Sequence, residues 1–267
     1  MRKALLCALI ALALLGCAAK KPLEPRSATF GPLKFTPPPI SEKVLSGGAK
    51  VFLLEDHEIP LVRVFFSFRG GAVYDPPDLA GISSVTAMAW RSGGTLAHPA
   101  GELDDLLEDR AIDLGLSIGR QSGTVTLSAL KEDLEAGLGF ARELIFTPAF
   151  DEGRWKVAVK RAKSDILREE EDVEALAFRE FRRAMYRGTP RGVTPTLKTV
   201  DAMKREDSIG YRERLVSDSG WVVGVAGDFD PARIMALLEE NFGKLPGEGG
   251  SFQPLLPPPT PEPQIVV

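Results

Sequence analysis

The chain has 267 residues, 44% of them hydrophobic and 26% charged, with a formal net charge of -4. This is globular composition with enough sequence to bury one large core or two small ones, so disorder throughout is excluded. Lys and Arg are scattered among Asp and Glu, which leaves no basic field to hold a phosphate backbone and argues against a nucleic-acid partner.

The first residues are Met1-Arg2-Lys3, followed by an apolar run from Ala4 to Leu15. The run is too short to span about 30 Å of hydrocarbon and suits the h-region of an export signal over 1–16. It closes with Leu14-Leu15-Gly16-Cys17, which resembles the lipobox of bacterial lipoproteins, so the expected lipidation site is Cys17. The alternative is a plain cleaved signal with an incidental Cys17. The second cysteine, Cys7, lies inside the signal, so a mature chain has no disulfide and no catalytic cysteine. Acyl chains on Cys17 contribute about 0.8 kcal/mol per buried methylene, which implies a chain anchored to a membrane without crossing it.

Residues 17–40 are proline-rich and read as an extended tether ending in Pro37-Pro38-Pro39. Beyond it, 49–54 and 61–68 read as strands around the turn 55–58, with Val62, Val64, Phe66 and Phe68 on one face, and a hairpin is the simple pairing. Arg69-Gly70-Gly71 and Asp75-Pro76-Pro77-Asp78 break the chain before Gly81, and 82–90 suits a short buried helix ended by Gly93-Gly94. A helix follows at 101–112 with Leu103, Leu106 and Leu107 as its stripe, then a strand at 124–130 and a helix at 134–145 stopped by Pro148.

The span 152–186 reads as a charged surface helix interrupted near Glu171-Asp172, its apolar stripe formed by Trp155, Val159, Ile166, Ala177, Phe178 and Phe181. After the turn-rich 188–195 come a helical stretch to Val216, a strand at 221–226 and a helix from Pro231 to Phe242 with Asp230 as its cap. The segment 246–267 reads as a Pro/Gly-rich linker, and 264–267 looks like the start of a further strand, so a second domain is expected beyond it. Adjacent strands mixed with paired helices point to an α+β fold, a mixed or antiparallel sheet packed against helices, over 41–245.

Several blocks taken in order resemble the N-terminal domain of the pitrilysin/insulinase (inverzincin) peptidases over about 200 residues. They are Gly47-Gly48 with 49–54, 61–68 with Arg69-Gly70-Gly71 and Tyr74-Asp75, Gly81 and Gly93-Gly94-Thr95 flanking a helix, Ile145-Phe146-Thr147-Pro148-Ala149-Phe150, and Val225-Ala226-Gly227-Asp228-Phe229-Asp230. In that family the helix carries H-x-x-E-H, two zinc-binding imidazoles one turn apart beside a carboxylate base. Counted from Gly81, the matching positions are Ser84, Ala87 and Met88, and Asp165 matches the third ligand, a glutamate in the family.

Zinc is the family cofactor, but Ser84, Ala87 and Met88 do not supply its nitrogen or carboxylate donors, so no metal is expected. Ala87 cannot act as the base, a role that contributes about 10²- to 10⁴-fold in rate. The chain's two histidines, His57 and His98, do not begin an H-x-x-E-H, so the loss survives any shift of register. Both read as solvated loop residues, the run Glu169-Glu170-Glu171-Asp172 as a solvated helix face, and Ile82, Val85, Ala87, Met88 and Ala89 as core filling the former site. Trp90 and Trp155 read as core.

The resemblance thus implies a non-catalytic homologue in the cell envelope, facing the periplasm or exterior. It would pair with a catalytic family homologue and with it enclose peptides or unfolded segments. Two alternatives stand beside it: an active zinc metallopeptidase with atypical ligands, and an envelope binding or structural lipoprotein.

Overall fold

The computed structural model describes residues 31, 36–250 and 252–255. The signal at 1–16, Cys17, much of the tether and 264–267 lie outside the described residues. The chain divides after Pro38, and the unit Pro39–Val267 contains the whole described core, from Leu45 to Phe252. Among the described residues no helix is long and apolar enough to cross a membrane.

Six strands, β1 Ser41–Val44, β2 Lys50–Glu55, β3 Leu61–Arg69, β4 Asp113–Ile118, β5 Ser122–Leu130 and β6 Trp221–Gly227, form one sheet in the order β1-β2-β6-β3-β5-β4. Neighbours are antiparallel except the parallel pair β2 and β6, so the sheet is mixed as expected. Alternation assigns one face to the core: Val62, Val64, Phe66 and Phe68 of β3 are buried there beside Val125, Leu127 and Ala129 of β5 and Val223 and Val225 of β6.

The expected hairpin of β2 and β3 does not form, because β6 lies between them. Five residues, 56–60, reach across two strand spacings of about 4.8 Å each without strain. They straddle the end of β6: Asp56 N donates to the Gly227 carbonyl at 2.9 Å and Asp228 N to the Leu61 carbonyl at 3.1 Å. Gly227 has φ of 127°, and a Cβ there would stand 2.0 Å from the Leu61 carbonyl oxygen, so this junction requires glycine.

The helices are α1 Ile82–Ser92, α2 Ala100–Asp109, α3 Leu134–Phe146, α4 Glu152–Glu171, α5 Val173–Met185, α6 Leu197–Asp201, α7 Arg205–Asp218 and α8 Pro231–Phe242. The expected interruption of the long charged helix falls at Asp172, which is extended and whose carboxylate accepts from Glu174 N and Ala175 N to start α5. The expected continuous stripe across that break is wrong: Ile166 is buried, whereas Phe178 and Phe181 of α5 stay 60% and 61% exposed. One extended residue resets the phase of the second helix, so positions in register by count no longer share a face.

Two strands were not expected. All four residues of β1 are exposed and show no alternation, so it is defined by pairing with β2 alone. β4 contains Gly115 and Ser117, poor strand formers, and owes its geometry to β5. The chain past Gly243 also packs on the sheet: Gly48 bridges Pro246, and Phe252 is buried.

Candidate functional site

The α1 helix starts where the chain turns through Gly81, whose φ of 98° is a left-handed conformation. Its free N-terminal amides are taken up by Asp75: Oδ2 accepts from Gly81 N at 2.9 Å, from Ser83 N at 3.4 Å and from the Ser83 hydroxyl at 3.0 Å. Ile82, Val85, Ala89 and Trp90 enter the core, with Trp90 Nε1 donating to the Leu144 carbonyl at 2.6 Å. α1 packs against α4, α7 and β4.

On this helix Ser84 is exposed, Met88 half-buried against the core, and Ala87 9% exposed. Residues 84 and 88 are one turn apart, a spacing that would let two ligating side chains meet, but a serine and a methionine stand there. Asp165 lies on the neighbouring α4, half-exposed, with its carboxylate 3.5 Å from the Arg168 guanidinium. A hydroxyl, a methyl, a thioether and one carboxylate already beside a cation do not form a zinc donor set. These residues do not fit the metal. Among the described residues no group of three His, Cys, Asp or Glu side chains could hold one.

The two histidines lie in loops away from α1, but only one is solvated. His57 is exposed, and its Nδ1 is 2.6 Å from Asp228, whose same oxygen accepts from Lys131 Nζ at 2.8 Å. Lys131 and His57 together hold the Asp228 carboxyl below the usual range. His98 corrects the expectation: its side chain is 25% exposed and its Nδ1 is 2.8 Å from Glu143, which also accepts from the Thr95 hydroxyl at 2.7 Å. That network ties the loop after α1 to α3. The hydroxyl points at the carboxylate and not at the ring, so it is not poised for nucleophilic attack.

Other polar groups around α1 were not legible from sequence. Burial raises the Asp75 carboxyl above its ordinary value, against the lowering hydrogen bonds from Ser83 and Gly81. Its Oδ1 is buried without a well-formed hydrogen bond. The nearby Tyr211 hydroxyl is engaged with Gly71, donating to the carbonyl at 3.3 Å and accepting from the amide at 3.2 Å, and burial raises this phenol. Arg212, pulled down to about 10 by burial, donates to the Ile145 carbonyl and stands 5.7 Å from the Trp90 ring. A cleft of about 790 Å³ opens beside Asp75, between Tyr74 and Pro76 on one wall and Arg183, Ala184 and Arg187 on the other. Its walls come from segments more than 100 residues apart, and no local pattern announces it.

No family profile matches the chain. Among curated proteins it is similar to the non-peptidase homolog YmxG of Helicobacter pylori (strain ATCC 700392 / 26695), 22% identical over 201 residues, covering 74% of this chain and 46% of that protein. Among solved structures it is similar to a peptidase M16 inactive domain from Pseudomonas fluorescens, with a TM-score of 0.72 and 16% identity over 84% of this chain and 54% of that one. A protease from Helicobacter pylori superposes with a TM-score of 0.69 and 15% identity, over 85% of this chain and 55% of that one. The fold is the pitrilysin/insulinase-like one.

The chain spans about half the length of these relatives. In this chain α1 is the helix flanked by Gly81 and Gly93, and it carries Ser84, Ala87 and Met88.

Proposed function

We propose that this chain is a non-catalytic peptidase homologue, held in the cell envelope through a lipidated Cys17, that pairs with a catalytic homologue to enclose peptide substrates. One observation carries the reading: α1 is an intact helix bearing Ser84, Ala87 and Met88 where a zinc peptidase of this fold needs two imidazoles and a carboxylate. Without donors the water that attacks the peptide is not activated, and this removes nucleophile and base together. The similarity to a protein named a non-peptidase homolog and to one named an inactive domain supports the same conclusion. What is left to such a domain is shape, a mixed sheet that exposes Arg63, Phe65 and Val222 on the side away from the core, and shape serves a partner.

Tagged protein is co-expressed with the catalytic homologue from its own genome and purified. The expected result is a stoichiometric complex that hydrolyses peptides, while the chain alone does not. Failure to retain the homologue, together with failure to bind unfolded peptides, contradicts the proposal.

A further inference from the structure

The cleft beside Asp75, about 790 Å³, falls within the range of small-ligand pockets. One wall is stiff and apolar, formed by Tyr74, Pro76 and Pro77, and it faces Ala184, Pro190 and Val193. Two donors that line the cleft are unmatched. Arg187 is exposed and, among the described residues, has no ion pair or hydrogen bond, and the Gly188 amide likewise has no partner. Gly188 has φ of 74°, with open space where a Cβ would stand. The nearby carboxylates are already engaged: Glu180 lies 3.3 Å from Arg179 and 3.1 Å from Arg183, and Asp75 caps α1. The Arg187 guanidinium is therefore the unmatched charge of this cleft.

The described residues end beside it. The Tyr74 hydroxyl donates to the Gln253 carbonyl at 2.8 Å. Arg191, between the lining residues Pro190 and Gly192, reaches the carbonyl of half-buried Leu255 at 3.5 Å. Next in sequence is Leu256-Pro257-Pro258-Pro259-Thr260-Pro261-Glu262-Pro263, which lies outside the described residues. At about 3.1 Å per residue in a polyproline conformation, a segment of this length reaches about 25 Å, ample to lie along a cleft that begins at Tyr74. Five of its eight residues are prolines, so it brings bare carbonyl acceptors and few donors, the complement of the cleft's unmatched donors. Proline-rich segments dock on aromatic-lined grooves, and Tyr74 supplies the ring. Glu262 supplies one charge, opposite in sign to Arg187.

We propose that the cleft beside Asp75 is a polyproline-binding site whose occupant is this chain's own segment 256–263, with Glu262 paired to Arg187. This is independent of the pairing with a catalytic homologue and of the positions compared with a zinc site. A short tether holds such a segment at about millimolar concentration around its site. An affinity of about 100 μM then keeps the cleft about nine-tenths filled and weakens a competing ligand about tenfold. The cleft is thus closed to other peptides until its own segment is displaced.

Fluorescence anisotropy of a labelled peptide with the sequence of 256–263, titrated with Pro39–Val267, the unit holding the whole described core, tests this. Two forms of the unit are compared: the wild type, and one in which 256–263 is replaced by glycine and serine at equal length, a change outside the described core. Circular dichroism confirms that each is folded. The replaced form is expected to bind the peptide at about 100 μM and the wild type about tenfold more weakly, because its own segment competes. Arg187→Glu in the replaced form weakens binding about tenfold, and a peptide carrying Glu262→Arg restores it, which a non-specific apolar contact does not do. No binding by the replaced form overturns the proposal, as does equal binding by both forms. So does binding that is indifferent to Arg187→Glu, that the reversed peptide fails to restore, or that a proline-free apolar peptide of the same length matches.

Discussion

Asp75 shows how far a single side chain was legible. That Tyr74-Asp75 precedes a helix opened by Gly81 is visible in the sequence; that the carboxylate caps the helix from six residues upstream, beneath Tyr211, is not, because Tyr211 arrives from a distant helix. The consequence is a pH dependence with a definite sign. The folded carboxyl titrates above its ordinary value of 3.8, with burial as the main cause. Between 3.8 and the raised value the folded state keeps a proton that the unfolded chain has released, so this group's contribution to stability falls as the pH rises through that window and is level above it. Asp75→Asn keeps an acceptor oxygen for Gly81 and Ser83 but cannot ionise. Thermal unfolding followed from pH 4 upward is predicted to lose this part of its slope in the variant; an unchanged slope would assign the effect elsewhere. That Ser84, Ala87 and Met88 do not form a zinc donor set was, by contrast, readable directly, since identity alone decides whether a side chain can donate to zinc.

Elements with their own chemical punctuation were legible, and those defined by neighbours were not. α8 begins as its sequence states, with Asp230 accepting from Arg233 N at 2.7 Å and Pro231 at the first helical position. Asp230→Ala is predicted to cost about 1 kcal/mol in urea unfolding, the usual loss for a helix cap; no measurable loss would mean that water replaces the carboxylate fully. β1 and β4 carry no such signal, being edge strands whose partners impose their form. The break at Asp172 was visible in Glu171-Asp172, but its effect on phase was not, and that is why Phe178 and Phe181 turn to solvent instead of extending the stripe of α4.

For the whole molecule, the class of fold follows from the alternation of strands and helices, while the strand order does not. β6 enters between β2 and β3 after about 150 residues of intervening chain, and only long-range complementarity, with Gly227 at the junction, selects that position. The sheet, α1 and α4 belong to a pitrilysin/insulinase-like fold, and Ser84, Ala87, Met88 and Asp165 do not form a zinc donor set. Purified protein incubated with equimolar zinc and dialysed, then assayed for bound metal and for peptide hydrolysis with and without chelator, tests that claim most directly. The account predicts no stoichiometric zinc and no chelator-sensitive cleavage. One zinc per chain with cleavage that chelator abolishes, both lost on Asp165→Ala, would contradict it.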